Sequence, residues 1–128
     1  MKGLTQAEEQ VMHHLWKLEK AFLKDIIEAY DEPRPAYTTV STVIRVLVKK
    51  KFIAYNTYGK THEYYPLVSR DIYFSGFFKG FLARFFNNST SSFASFFTKD
   101  KDLSVRELEE MKQIIEQQIA DRKQDDNG

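Results

Sequence analysis

Short hydroxyl side chains and one arginine recur along a segment whose apolar residues have helical spacing. Thr39, Thr42 and Arg45 follow one another at i, i+3 and i+6, and Ser41 lies near them. Serine and threonine hydroxyls donate to or accept from base edges, and a threonine methyl contacts a thymine methyl. An arginine bridges guanine O6 and N7 or holds a phosphate. The pattern therefore predicts a helix that enters the major groove of double-stranded DNA.

Positive charge is concentrated around the same segment. Residues 33–62 contain six lysines and arginines and no Asp or Glu, whereas the whole chain has a formal net charge of +1. Such a patch attracts a polyanion, although a charge run is equally compatible with a solvated lysine face. The lysines that follow the hydroxyl-rich helix suit DNA phosphates, and they also interact favourably with the helix C-terminus without any DNA.

The elements around this helix have the order of a winged helix-turn-helix. A capping-box pattern at Thr5–Glu8 and an apolar period of 3.6 predict a first helix over about residues 5–18. A short second helix is expected over 22–30, and after a break at two prolines a third helix runs over about 38–50. In this fold the third helix is the reader of DNA.

A β-hairpin is predicted after the third helix, because β-branched and aromatic residues flank Gly59-Lys60. This hairpin would be the wing, and Lys60 at its tip suits a phosphate contact. The residues predicted to contact DNA are Thr38, Thr39, Ser41, Thr42, Arg45, Lys49, Lys50 and Lys60.

The C-terminal part of the chain is rich in phenylalanine. Nine of the eleven phenylalanines lie between residues 74 and 97, where helices are expected, and a second capping box at Ser104–Glu107 opens a last helix. Each buried aromatic covers ~150–250 Å², so the set exceeds the patch of a few hundred Å² that a soluble monomer exposes. We therefore expect a twofold dimer. Its candidate residues are Phe74, Phe77, Phe78, Phe81, Phe85, Leu108, Met111 and Ile115.

The predicted fold is mainly α with a small β-hairpin: a winged helix-turn-helix in residues 1–68, followed by a C-terminal helical dimerisation domain in 69–128. The chain has no cysteine, and we find no metal-ligand spacing, phosphate loop or nucleophile–base pair. No enzyme activity, metal or other cofactor is therefore expected. No stretch of eighteen residues lacks charge and the N-terminus is polar, so we expect a cytoplasmic protein without membrane insertion.

A different class of function stays open at this point. The Phe-rich helices could form a protein-interaction or membrane-peripheral module that binds lipid or a partner helix. A lipid-binding helix carries lysine and arginine along its polar face. Between residues 72 and 98 only Lys79 and Arg84 are basic, so the sequence favours DNA.

Four segments together resemble a known family, the penicillinase and methicillin-resistance repressors with their copper-responsive relatives (BlaI/MecI/CopY). These segments are LTQAEEQVMHHLW, PAYTTVSTVIRVLVKKKFI, YGKTHEYYPLVSRD and LSVRELEEMKQII, and the resemblance spans about residues 4–120. It implies a homodimeric winged-helix repressor that binds a palindromic operator and dimerises through its C-terminal helices. It also implies that Thr39, Ser41, Thr42 and Arg45 meet the groove.

The resemblance further implies a means of release. In the β-lactam branch of the family, a membrane-bound sensor protease leads to cleavage of the repressor in its C-terminal domain. The segment SFFTKDKDL aligns with the cleaved region and places the bond near Phe96-Phe97, where the family has Asn-Phe. The implied partners are operator DNA, a second copy, and a membrane-bound sensor protease or antirepressor. Copper sensing in this family uses C-terminal cysteines, which this chain lacks.

Overall fold

The computed structural model describes residues 3–127, and these form six helices and a small antiparallel sheet. By compactness the chain divides into two units, between Lys79 and Gly80. The fold is a winged helix-turn-helix followed by further helices, as predicted. The elements are α1 (Gln6–Leu18), β1 (Ala21–Phe22), α2 (Leu23–Ala29), α3 (Tyr37–Lys49), β2 (Ile53–Tyr58), β3 (Thr61–Pro66), α4 (Arg70–Phe85), α5 (Thr90–Thr98) and α6 (Val105–Asn127).

Helix α1 begins at the predicted capping box. The Thr5 hydroxyl accepts from the Glu8 N–H at 3.2 Å, and the Glu8 carboxylate accepts from the Thr5 N–H at 2.9 Å. Two backbone donors that the first helical turn leaves unpaired are thereby satisfied. The predicted first helix is confirmed.

Apolar stripes of α1, α2 and α3 form the core of the first unit. Helix α3 buries Val40, Ile44 and Leu47, and Val43 is partly buried. These side chains pack with buried residues of α1 and with Ile26 of α2. Because one face of α3 is held in the core, its opposite, hydroxyl-bearing face is left in solvent.

The sheet has the strand order β1-β3-β2 and contains the predicted hairpin. Tyr58 pairs with Thr61 across the turn, where Gly59 has a φ of +62° that favours glycine. Strand β1 was not predicted. It has only two residues, which pair with β3 through Ala21↔Tyr64 and Phe22↔Glu63.

Two hydrogen bonds hold the start of α4 and the residues just before it against the winged helix. The Trp16 indole N–H donates to the carbonyl of Val68 at 2.8 Å, and the hydroxyl of buried Tyr73 accepts from the Leu4 N–H at 3.1 Å. Trp16 is partly buried and packs against the core cluster.

In the second unit, helix ends are capped and phenylalanine rings pack together. Ser89 caps α5 by accepting from the Ser92 N–H at 3.0 Å. The Phe86 and Phe93 rings lie 5.5 Å apart, and those of Phe93 and Phe97 lie 5.6 Å apart. Despite these contacts, no residue of α5 or α6 is fully buried within the described chain.

Helix α6 begins at the second predicted capping box. The Ser104 N–H donates to Glu107 at 3.0 Å, and the Glu107 N–H donates to Ser104 Oγ at 3.1 Å. Hydrogen bonds from the Ser104 N–H and hydroxyl hold the pKa of Glu107 below its ordinary value. Within residues 3–127, no helix is long and apolar enough to cross a bilayer.

Candidate DNA-binding interface

The outer face of α3 carries a continuous row of polar side chains. Thr38, Thr42, Arg45 and Lys49 are spaced i, i+4, i+7 and i+11, so they lie on one face of the helix, and all four are exposed. Of the other predicted contacts on α3, Thr39 is exposed beside this row and Ser41 is half-buried. The structure thus brings these predicted contacts of α3 together on one surface, and we call the row of Thr38, Thr42, Arg45 and Lys49 the reading row.

The structure restricts how Thr42 could bind a base. Its hydroxyl donates to the backbone carbonyl of Thr38 at 2.8 Å. The hydroxyl hydrogen is therefore occupied, while the oxygen lone pairs and the methyl group remain available. In this rotamer Thr42 would accept a hydrogen bond from adenine N6 or cytosine N4, or contact a thymine methyl.

Arg45 extends the row toward the wing. Burial raises the pKa of Tyr64 on β3, and so do neighbouring Tyr55 and Tyr37, while the Arg45 guanidinium acts in the opposite direction. Among residues 3–127, no carboxylate forms an ion pair with Arg45. Its donors are thus available to an anion or a base.

Lys50 has an intramolecular partner, Glu8, that is not evident from the sequence. Its Nζ lies 2.8 and 2.9 Å from the two carboxylate oxygens of Glu8, which is 5% exposed. Burial alone would raise the pKa of Glu8, but hydrogen bonds from Lys50 and Thr5 outweigh this effect and lower it. The ion pair joins the end of α3 to the start of α1. Contact between Lys50 and DNA remains a prediction.

A signal for the buried Glu8 was present in the sequence. Glu8 precedes Val11, Met12 and Leu15 by three, four and seven residues, so it shares their inward face. A carboxylate on such a face requires a cationic or hydrogen-bonding partner. The pattern does not identify Lys50, which lies 42 residues away in sequence.

Helix α3 ends in a Schellman motif with lysine at the position that usually holds glycine. The Lys51 N–H donates to the Val48 carbonyl and the Phe52 N–H to the Leu47 carbonyl, both at 3.0 Å. Leu47 and Phe52 are buried and supply the apolar contact of the motif. Lys51 has a φ of +68°, in the left-handed region that costs an L side chain energy.

The wing presents Lys60 at its exposed tip. Beside it, the Thr61 hydroxyl donates to the Tyr58 carbonyl at 2.8 Å, which tightens the turn. His62 lies with Nδ1 3.1 Å from the Thr57 hydroxyl and its ring 4.1 Å from that of Tyr55. The wing and α3 belong to the same compact unit.

Most of the predicted dimerisation residues leave much apolar surface in solvent. On α4, Phe77 is 59% and Phe85 is 66% exposed, and on α6 Ile115 is 55% exposed. Phe74 and Phe78 are also exposed, whereas Phe81, Leu108 and Met111 are half-buried. Ile114 and Ile119 add to the exposed surface of α6.

The predicted cleavage bond lies inside α5 and not in a loop. Phe96 and Phe97 are both exposed and belong to the last turn of this nine-residue helix. The Thr98 hydroxyl donates to the Ala94 carbonyl at 2.7 Å at the same end. Proteases bind substrates as extended strands, so this turn would have to unwind before cleavage.

The described side chains provide no cluster of three or more His, Cys, Asp or Glu that could hold a metal ion. His13 and His14 are adjacent on α1, with ring centroids 5.6 Å apart. His14 lies against the Tyr30 ring at 4.3 Å, and burial together with His13 holds the pKa of His14 below its ordinary value.

Comparison with known proteins identifies the family. The profile of the penicillinase repressor family matches residues 4–117. The methicillin resistance regulatory protein MecI of Mammaliicoccus sciuri is 30% identical over 88% of this chain and 92% of its own length. The penicillinase repressor of Bacillus licheniformis is 26% identical over 89% of this chain and 90% of its own length.

A solved structure of the CopR repressor is 29% identical, covers 53% of this chain and all of its own, and has a TM-score of 0.44. The family assignment depends on the profile match and on the relatives that align along almost the whole chain. The chain belongs to the penicillinase repressor family, and it is a DNA-binding transcriptional repressor and not an enzyme.

Proposed function

We propose that this repressor is a homodimer that binds a palindromic operator, with α3 in the major groove and the wing on the DNA backbone. The main support is the division of α3 into two faces. Val40, Ile44 and Leu47 are buried. The opposite row from Thr38 to Lys49 is exposed and contains no carboxylate. Among the described residues, no element packs on this outer face of α3, so the face is available to DNA.

Dimerisation is supported by the apolar surface of the C-terminal helices. Phe85, Phe96, Ile114 and Ile115 each expose more than half of their surface. Exposed apolar side chains that form a patch mark an interaction site. A second copy is the partner whose concentration always matches that of the chain, and twofold dimers are the commonest assemblies. We assign residues 1–68 to DNA binding and 69–128 to dimerisation.

Twofold symmetry would set the form of the operator. Two α3 helices related by a dyad read the same sequence on opposite strands, so the half-sites would be inverted and about one helical turn or a multiple apart. Each winged helix alone would bind weakly, because tethering makes the second contact intramolecular. Loss of the dimer would therefore weaken operator binding without altering any DNA contact.

We propose cleavage near Phe96-Phe97 as the step that releases the operator, under a membrane-bound sensor protease or an antirepressor. Helix α5 has nine residues and none is buried, so its last turn opens at low cost in free energy. Cleavage there would separate α6 from the winged helix. The chain up to Phe96 would retain the reading surface and lose a large part of the dimer surface.

The reading surface is tested by titrating the protein against its own upstream intergenic DNA, with a scrambled duplex as control. Arg45→Ala should lower operator affinity by about 10- to 100-fold, the range of one bidentate base contact. Arg106→Ala on α6, which removes the same charge from an exposed surface pair, should leave it unchanged. Equal affinity of wild type and Arg45→Ala would contradict the reading surface.

A further inference from the structure

A cavity of about 520 Å³ lies between α2, the first residue of α3 and the wing. Lys24 of α2, Tyr37 of α3 and Lys60 of the wing tip line it, and Phe22 and Leu23 form part of its apolar wall. All of these residues belong to the first compact unit. We call this cavity the wing notch. Lys24 and Tyr37 were not among the residues predicted to contact DNA.

The wing notch contains two lysines that are not paired with carboxylates of the described chain. Lys24 and Lys60 are exposed, and neither forms an ion pair with any residue in the range 3–127. The carboxylate in the lining, Asp25, accepts a hydrogen bond from the Phe22 N–H at 3.1 Å. The lining therefore has two ammonium groups, on Lys24 and Lys60, and one carboxylate, on Asp25. Its net charge is positive, so the notch favours an anion.

The rest of the lining suits a phosphodiester better than a bare phosphate ion. Tyr37 is 65% exposed, so its hydroxyl is free to donate to a phosphate oxygen. The Phe22 ring, 6.3 Å from that of Tyr58, and the Leu23 side chain offer carbon surface to deoxyribose. Two cations, a hydroxyl donor and an apolar wall match the alternation of charge and sugar along a DNA strand.

The position of the wing notch relates it to the proposed reading mode. Tyr37 directly precedes Thr38, the first residue of the reading row, and Lys60 is the wing tip. A strand that leaves the groove occupied by α3 and passes under the wing would cross the space between them. We infer that Lys24, Tyr37 and Lys60 together hold one backbone phosphodiester of the bound DNA. This inference rests on the proposed function, and such a contact would position the protein without reading sequence.

The test uses the full chain and a random-sequence duplex of about three helical turns, because a backbone contact does not require the operator. Affinity is measured by fluorescence anisotropy over a series of NaCl concentrations. Lys24→Gln should reduce the slope of log K against log salt by about 0.9 for each bound protomer. Lys24→Arg should retain the wild-type slope. Tyr37→Phe should lower affinity by about three- to tenfold with the slope unchanged.

Lys20→Gln is the matched control, since it removes the same charge from an exposed site four residues away that lines a different cavity. An equal change of slope in Lys20→Gln and Lys24→Gln would mean a general effect of charge and would overturn the wing notch. A second result would also overturn the inference. If inorganic phosphate protects the Lys24 amine from acetylation, and Lys24→Gln leaves the slope of log K against log salt unchanged, the site binds a small anion and not DNA.

The outcomes for the wing notch and for the proposed function are distinct. Suppose that wild type prefers the operator to the random duplex and that Arg45→Ala loses this preference. If Lys24→Gln and Lys20→Gln then have the same salt slope, only the inference about the wing notch is wrong. If wild type binds neither the operator nor the random duplex at low salt, the proposed function fails with it. Circular dichroism melting curves matching wild type would exclude misfolding as the cause of a loss.

Discussion

At the scale of single residues, Lys51 is held in a backbone conformation that favours glycine. The Schellman hydrogen bonds of Lys51 and Phe52 require a φ near +68° at this position. The Lys51 side chain is exposed and forms no ion pair within the described chain. The left-handed backbone at Lys51 therefore lowers the stability of the fold, and the exposed side chain contributes little packing in return.

Lys51→Gly should stabilise the protein. We expect the free energy of unfolding to rise by about 0.5–1 kcal/mol, because relief of the left-handed strain exceeds the greater chain entropy that glycine brings to the unfolded state. Urea denaturation at a fixed protein concentration measures it. Lys49→Gly, inside the helix, should lower stability by up to about 1 kcal/mol. A loss of stability in Lys51→Gly would show that the lysine side chain stabilises the fold.

The Glu8–Lys50 pair makes a second, pH-dependent contribution. Glu8→Gln should reduce the free energy of unfolding by about 1–2 kcal/mol at neutral pH, a range that allows for the partial exposure of Lys50. Because the folded-state pKa of Glu8 is below its ordinary 4.5, the difference from wild type should be complete above that pH. It should shrink as the pH falls through the folded-state pKa.

Exposed Glu9 offers the control for this prediction, since Glu9→Gln changes the same charge without breaking an ion pair. Urea unfolding of the three proteins from pH 3 to pH 7 would compare them. A difference between Glu8→Gln and wild type that stays constant over this range would argue against ionisation as its source.

Single-residue roles were predictable from the sequence only where they depend on local spacing. The exposed hydroxyl row and the buried stripe of α3 follow from the helical period. The partner of Lys50 was not predictable, because it depends on the tertiary packing of α1 against the end of α3.

At the scale of elements, the long periodic segments and both capping boxes predicted their helices within a residue or two. The two-residue strand β1 was missed because alternation needs more residues to show. On α6, Ile114 is 64% exposed beside the predicted dimerisation residue Ile115. An apolar period predicts which face needs a partner, but not whether that partner belongs to the same chain.

Helix α6 gives a direct test of the dimer at this scale. Ile115 borders a groove of about 440 Å³ whose lining also includes Leu108, Met111, Thr98, Lys112 and Glu116. Ile115→Glu should shift the dimer toward monomer and raise the dimer dissociation constant about 100-fold or more, because a charged carboxylate would replace an apolar side chain in the proposed interface. Sedimentation equilibrium measures this constant.

Gln113→Glu places the same charge on the opposite side of α6 and should leave the assembly unchanged. If Ile115→Glu and wild type have the same dissociation constant, α6 is not part of the interface. If wild type itself is a monomer at all concentrations, the apolar helices must bind something other than a second copy. This result would favour the alternative that the Phe-rich helices bind lipid or a partner helix.

At the scale of the whole molecule, the proposed switch depends on the chain between the reading surface and α6. The reading row, the wing and the wing notch all lie in the first unit, whereas Phe96 and the whole of α6 lie in the second. Sequence similarity to MecI along 92% of that protein's length shows the family.

A chain ending at Phe96 tests whether affinity depends on dimerisation. We expect it to be monomeric and to bind the operator at least about 100-fold more weakly than the full chain, since each half-site would bind without the tether. Its affinity for a random duplex at low salt should change much less, because α3 and the wing are intact. Joining two such chains by a long flexible linker should restore part of the operator affinity. Operator affinity equal to that of the full chain would show that removal of α6 cannot be the switch, even if cleavage occurs at Phe96-Phe97.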